Sequence, residues 1–199
     1  MNTHQDIVNR IRRWGRGSVF TPRDFLDLGS RDAVDQALYR LAQDEYIRRL
    51  DHGLYDYPQI SPRVGPRSPD PDDVADALAR RTGARVQRAG AAAAHALGLS
   101  LQVPARPVYL TDGPSRAVNA GNRTVTMRHA ATSRLVGAGT VSGDFLQAIK
   151  FLGKEALDDT MAKSLRDRLD ADQLRKLNAD AVAFPAWIQR FAMTVTVGV

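Results

Sequence analysis

Cysteine is absent from all 199 residues, which excludes disulfide scaffolds, thiolate nucleophiles and cysteine-based zinc sites. Histidine is scarce too: His4, His52, His95 and His129 lie far apart, a spacing that makes no metal site. No run approaches the roughly 18 consecutive apolar residues of a membrane-spanning helix. The opening MNTHQDIVNRIRRW lacks the apolar segment and cleavage site of a secretory leader, so a cytoplasmic protein without membrane contact is expected. Lysine occurs only at Lys150, Lys154, Lys163 and Lys176, so arginine carries all the cationic side chains before them. No cofactor or metal is expected.

The net charge is +6 and is unevenly spread. Residues 1–67 hold 11 arginines against 9 acids, residues 68–139 hold 9 basic against 5 acidic groups, and residues 140–199 hold 8 of each. A basic balance built on arginine suits a polyanionic partner, because the guanidinium fork matches phosphate and guanine edges in two-point contacts.

What is present is most legible over residues 20–58, FTPRDFLDLGSRDAVDQALYRLAQDEYIRRLDHGLYDYP. A first helix over about 3–14 precedes it, with Ile7, Val8, Ile11 and Trp14 on one face. Thr21-Pro22 is an N-cap followed by proline at the first helical position, which predicts a second helix from Pro22 to about Leu28. Ser30 caps a third helix from Arg31 to about Asp44, in which Val34, Ala37, Leu38 and Leu41 face inward. Strand-like Tyr46–Leu50 and Leu54–Tyr57 flank Asp51-His52-Gly53 and predict a hairpin. That order describes a winged helix-turn-helix over 1–58, a module that lays its recognition helix in the DNA major groove.

Residues 59–69 read as a proline-rich linker. Beyond it, helix and strand signals alternate through a second hairpin around Asn119–Asn122. A helical pattern then follows from Ser142 to about Asn178, interrupted near Gly153. The fold class is therefore α+β: a winged helix-turn-helix followed by a second α+β domain over 70–199. The final VTVGV reads as a strand or a frayed end.

The candidate double-stranded DNA contacts are Ser30, Arg31, Gln36, Tyr39 and Arg40 on the third helix, with Arg48, Arg49 and His52 on the wing. The competing explanation is a solvent face laced by i,i+4 ion pairs, with Asp32 and Asp35 among the charges. Gly29-Ser30 with Asp32 and Asp35 superficially suggests a nucleotidyltransferase motif. That chemistry needs paired carboxylates on a strand, and these lie on a predicted helix. Gly137-x-Gly139-x-x-x-Gly143 lacks the Gly-Lys-Ser/Thr of a phosphate loop and reads as a turn, with Ser142 capping the next helix. His95 reads as a structural hydrogen-bonder, and His129 has no carboxylate partner nearby in sequence. The expectation is a binding protein and not an enzyme. An enzyme using Arg116, Asp112 and His129 is the improbable rival.

GLYDYP at 53–58, the proline-rich segment, and AAAAHALGLSLQVPARPVYLTDGPSR at 91–116 together resemble the AbiEi-type antitoxins of abortive-infection toxin–antitoxin systems, in their short branch. The most specific part is 97–116. The resemblance implies an N-terminal winged helix that represses its own operon. It also implies a C-terminal domain that counteracts a nucleotidyltransferase-fold toxin without a tight complex. Carried over, Arg48, Arg49 and the third-helix face would contact the operator, and Arg116, Arg123 and Arg128 would form a basic surface. The alternative is a stand-alone transcriptional regulator whose second domain dimerises or binds a ligand.

Overall fold

The computed structural model describes residues 3–197 and is α+β. The chain forms two compact units, Met1–Ala84 with Arg116–Thr126, and Arg85–Ser115 with Met127–Val199.

The first unit opens with α1 (Thr3–Trp14) and a short strand β1 (Val19–Phe20). The predicted second helix is a single 3₁₀ turn, Pro22–Phe25. The Asp24 carboxylate accepts from the Thr21 N–H at 2.8 Å and the Thr21 hydroxyl at 3.1 Å, closing the turn locally. Leu28-Gly29-Ser30 leaves it too few residues to propagate, and short runs of poorer hydrogen-bond geometry stay 3₁₀. Helix α2 (Arg31–Gln43) begins where Ser30 caps it, its hydroxyl accepting from the Ala33 N–H at 3.3 Å. Strands β2 (Arg48–Asp51) and β3 (Leu54–Asp56) form the hairpin, and the sheet order is β1-β3-β2, all antiparallel. The core beneath is Ile7, Val8 and Ile11 of α1, Phe20, Phe25, Val34, Leu38, Leu41, Ile47 and Tyr55. Phe20 and Phe25 meet edge-on at 5.5 Å.

Three features depart from the sequence reading. Residues 59–69 include a small antiparallel ladder, β4 (Ile60–Ser61) with β5 (Gly65–Pro66), in place of a plain linker. Helix α3 (Pro71–Thr82), capped by Asp70, belongs to the first unit and packs on β1 and the 3₁₀ turn. The Arg116–Thr126 part of the hairpin β8 (Arg116–Ala120) and β9 (Arg123–His129) also falls in the first unit, with β8 against β2. Its turn is fixed where the Asn122 N–H donates to Ser68 Oγ at 2.9 Å.

In the second unit β6 (Val86–Arg88) pairs antiparallel with β7 (Val108–Thr111), in register Val86↔Thr111 and Arg88↔Tyr109. Helix α4 (Gly90–Ala96) presents Ala93 and Ala94 to α5 (Val141–Leu152). The long helical pattern is cut twice, into α5, α6 (Asp159–Arg168) and α7 (Ala171–Asp180), because Asp158 and Asp170 each cap a new helix through their carboxylates. Thr140, and not Ser142, is the N-cap of α5. Ser142 sits inside the first turn, fully buried, and among the described residues its hydroxyl has no hydrogen-bond partner. The chain closes in α8 (Ala186–Val195). Of the VTVGV segment, Val195 ends α8, and Gly198 and Val199 lie outside the described residues. Phe145 stacks between Phe184 at 6.2 Å and Phe191 at 6.0 Å at the centre of the helical core. No helix among the described residues is long and apolar enough to cross a membrane.

One polar pair organises the first unit. Asp56 is fully buried on β3 opposite Arg48 on β2, and the Arg48 guanidinium reaches both carboxylate oxygens, at 3.0 and 2.6 Å. Burial pushes the Asp56 carboxyl above its ordinary value, and the Arg48 fork pulls against that. Replacing Arg48 by alanine strands a buried carboxylate, so Arg48→Ala should lower the unfolding free energy by about 3 kcal/mol at neutral pH in urea titrations. Native Asp56 without its fork binds a proton more tightly than the unfolded chain does. Part of that loss should therefore return as pH falls from neutral through the raised native value. Ser30→Ala, which removes the α2 cap, should cost about 1 kcal/mol. Gln36→Ala and Tyr39→Ala, on the exposed face, should change stability by less than about 0.5 kcal/mol.

Candidate nucleic-acid interface

The exposed side of α2 carries Asp32, Gln36, Tyr39, Arg40 and Gln43, the helical spacing of one face. Val34, Ala37, Leu38 and Leu41 occupy the buried side, so these polar residues are not needed for packing. Tyr39 is 57% exposed, and among the described residues neither its hydroxyl nor the Arg40 guanidinium has a side-chain partner. Gln36 is likewise exposed. Gln36, Tyr39 and Arg40 thus form a contiguous strip of one amide, one phenol and one guanidinium, groups that hydrogen-bond base edges and phosphates.

The other expected contacts divide. Ser30 spends its hydroxyl as the α2 cap. Arg31 Nε donates to Asp35 Oδ2 at 2.7 Å, an i,i+4 pair on the surface, which is the competing explanation realised at this residue. Arg48 does not join the exposed set. Its fork is closed on Asp56, and Nη2 also donates to the Arg67 carbonyl at 2.8 Å. Arg49 is exposed on β2, and its Nε makes one long contact with the Asp51 carbonyl, 3.4 Å. His52 is exposed at the wing tip, and Gly53 beside it takes φ +64°, the left-handed conformation of a two-residue turn. A bulge at Leu50, between the pairs Arg49↔Tyr55 and Asp51↔Leu54, twists the wing just before its tip.

Of the expected basic residues Arg116, Arg123 and Arg128, the last two stand on opposite faces of β9. On β9 the buried Val125 and Met127 set one face, Arg123 shares their parity and Arg128 has the opposite one. Arg116 and Arg123 belong to the first unit and Arg128 to the second.

Several cations were not singled out from sequence. Arg12 donates to the Tyr46 hydroxyl at 3.0 Å, and Tyr46 stacks on Tyr57 at 5.2 Å. Arg16 lies over the Tyr57 ring at 4.5 Å and donates to the Pro58 carbonyl at 2.9 Å. Arg10 forks Asp27 at 2.6 Å. That bond raises Arg10 and holds the Asp27 carboxyl below its ordinary value. Arg81 in the last turn of α3 donates to the His52 carbonyl of the wing, and Arg23 in the 3₁₀ turn donates to the Arg81 carbonyl. The paired Arg80-Arg81 at a predicted helix end was the available signal, but nothing local tied it to residues 29 positions earlier.

In the second unit a cavity of about 500 Å³ is lined by Arg88, His95, Thr140, Asp144, Arg168 and Gln173. Asp144 accepts from Gln87 Nε2 at 2.6 Å and Arg88 Nη1 at 2.8 Å. His95 Nδ1 meets the Ser100 carbonyl at 3.1 Å, and His129 Nδ1 meets the Gly113 carbonyl at 3.0 Å, so each ring has a structural partner on the backbone. Asp112 is held by Arg85, whose Nε and backbone N–H donate to its two oxygens at 2.9 and 2.7 Å. Among the described residues no group of three or more His, Asp or Glu side chains is placed to hold a metal ion.

No curated protein matches the chain. Among solved structures, the crystal structure of the RV2827C protein from Mycobacterium tuberculosis is similar with a TM-score of 0.45 at 16% identity, over 98% of this chain and 76% of that one. A family model described as a family of unknown function (DUF6088) matches residues 6–177, and the chain belongs to that family.

Proposed function

We propose that this protein binds double-stranded operator DNA through α2 and the wing, represses its own operon, and serves as an AbiEi-like antitoxin against a separately encoded nucleotidyltransferase-fold toxin in the cytoplasm. The observation that carries the DNA reading is the strip Gln36, Tyr39 and Arg40, exposed on the face of α2 opposite its core side. A helix presented this way in a helix-turn-helix enters the major groove, where arginine matches guanine O6 and N7, and glutamine matches adenine N6 and N7. Arg49 on the wing supplies charge for the phosphate backbone, and His52 adds a hydrogen-bonding tip. Asp32 repels phosphate at the start of α2 unless it accepts from a cytosine amino group, so it contributes to selection more than to affinity.

The antitoxin part rests on the resemblance at 53–58 and 91–116, and it makes the protein a binder and not an enzyme. A second reading, a regulator whose second unit binds a ligand, draws on the polar cavity of about 500 Å³ beside Arg88 and Arg168. A neighbouring nucleotidyltransferase-like gene separates the two, because an antitoxin needs a toxin.

Arg40→Ala and Arg49→Ala should each weaken binding to the DNA upstream of the protein's own gene, by roughly tenfold for Arg40 if it reads a guanine. The measurement is fluorescence anisotropy on that duplex. Wild-type affinity in both variants would refute the assignment of this face. In co-expression, the wild-type protein should restore growth arrested by the neighbouring toxin. Arg40→Ala should restore it equally well, since protection belongs to the other unit.

A further inference from the structure

The wing tip is tied to α3, and α3 in turn to the 3₁₀ turn. Arg81 Nη1, from the last turn of α3, donates to the His52 carbonyl at 2.8 Å. Arg23 Nη1, from the 3₁₀ turn, donates to the Arg81 carbonyl at 3.1 Å. A Cβ added at Gly53 would stand 3.7 Å from Arg81 Nη1 and 3.9 Å from Pro22 Cδ, so the three segments are close-packed around the tip. Neighbouring Arg80 is neutralised, with Nε on Asp24 Oδ1 at 3.1 Å and Nη2 on the Val19 carbonyl at 3.1 Å. Arg23 and Arg81 are different, since among the described residues neither forms an ion pair. Each spends a donor on a neutral carbonyl and keeps its full charge.

We propose that Arg23 and Arg81 take backbone phosphates beside the wing, so that the DNA-binding surface continues from α2 and the wing tip onto the last turn of α3. This rests on the DNA reading above and adds a segment outside the winged helix itself. A guanidinium has five donors in a rigid fork, and one bond to a carbonyl orients it while leaving the others for an anion. Arg23 stands on the first element of the helix-turn-helix, the one that crosses the DNA backbone in such modules. The chain Arg23 to Arg81 to His52 fixes these cations against the wing before any ligand arrives, which lowers the entropy cost of engaging a phosphate. The purely structural alternative is that both arginines only brace the wing and the α3 C-terminus.

The two roles differ in their salt response. Affinity for the upstream duplex, measured from about 50 to 300 mM salt, should fall by roughly three- to tenfold for Arg23→Ala and for Arg81→Ala, and the slope of log K against log salt should shrink by about 0.9 for each. Arg81→Lys should keep most of the slope, because the charge remains. Arg190→Ala, which removes an exposed cation from α8, should leave affinity and slope unchanged. If the slope is unchanged in Arg23→Ala and Arg81→Ala while Arg40→Ala still weakens binding, these two residues are braces and the extension is wrong. If the wild-type protein does not bind the duplex at all, the DNA reading itself fails along with it. Circular dichroism melts of Arg23→Ala, whose side chain bonds only a carbonyl, separate loss of contact from loss of fold.

Discussion

The first unit depends on the guanidinium fork closed by Arg48 on Asp56. Asp56 is fully buried on the central strand of a three-stranded sheet, and Arg48 stands opposite it in register. The carboxylate is tolerable there only because two charge-assisted hydrogen bonds replace its water. Burial raises the Asp56 carboxyl while the fork pulls against it, and a buried ion pair of this kind adds little net stability because desolvation offsets its attraction. Its effect is register: a one-residue slip of β2 would leave Asp56 buried without a partner. Arg48 also holds the Arg67 carbonyl, so the same side chain fixes where the chain goes after the sheet.

Arginine is used this way repeatedly in this unit. Arg10 holds the Asp24 carbonyl, Arg16 that of Pro58, Arg80 that of Val19 and Arg81 that of His52. A small unit with short strands and a single 3₁₀ turn leaves many backbone carbonyls outside regular ladders. Long planar cations reach them and satisfy them. Lysine, a point charge, would satisfy them less well, and the first 149 residues contain none. A basic composition is therefore an unsafe guide to nucleic-acid contacts here. Arg48 and Arg31 are basic yet spent internally, whereas Arg40 is not.

The second unit is built differently, around stacked Phe145, Phe184 and Phe191 and the close approach of alanine-lined α4 to α5. Glycine matters at one contact in particular: at Gly98, φ +68°, a Cβ would fall 1.5 Å from Arg168 Nη1. Arg168 thus occupies the space a side chain would fill, and it bonds the Gly98 carbonyl at 3.0 Å, both residues lining the polar cavity.

Local signals specified local elements. The caps at Ser30, Asp70, Asp158 and Asp170, the periodicity of α1 and α2, and the turn at Gly53 were all set by residues within four or five positions of one another. They specified the α+β class and the order α1, α2 and the β2–β3 hairpin. The reading of Pro22–Leu28 as a helix failed because a cap and a proline define a start and not a length. The helical pattern after Ser142 breaks at Gly153, where the sequence places an interruption, and again before Asp170, which caps a new helix. Tertiary structure alone decided three things: that α3 and Arg116–Thr126 join the first unit, that Arg48 turns inward, and that Arg81 meets His52. Each depends on partners 8 to 29 or more residues apart in the chain, such as Arg48 with Asp56 and Arg81 with His52. Such bonds are chosen by which carboxylates and carbonyls burial leaves unsatisfied, and that is fixed only once the whole unit has folded.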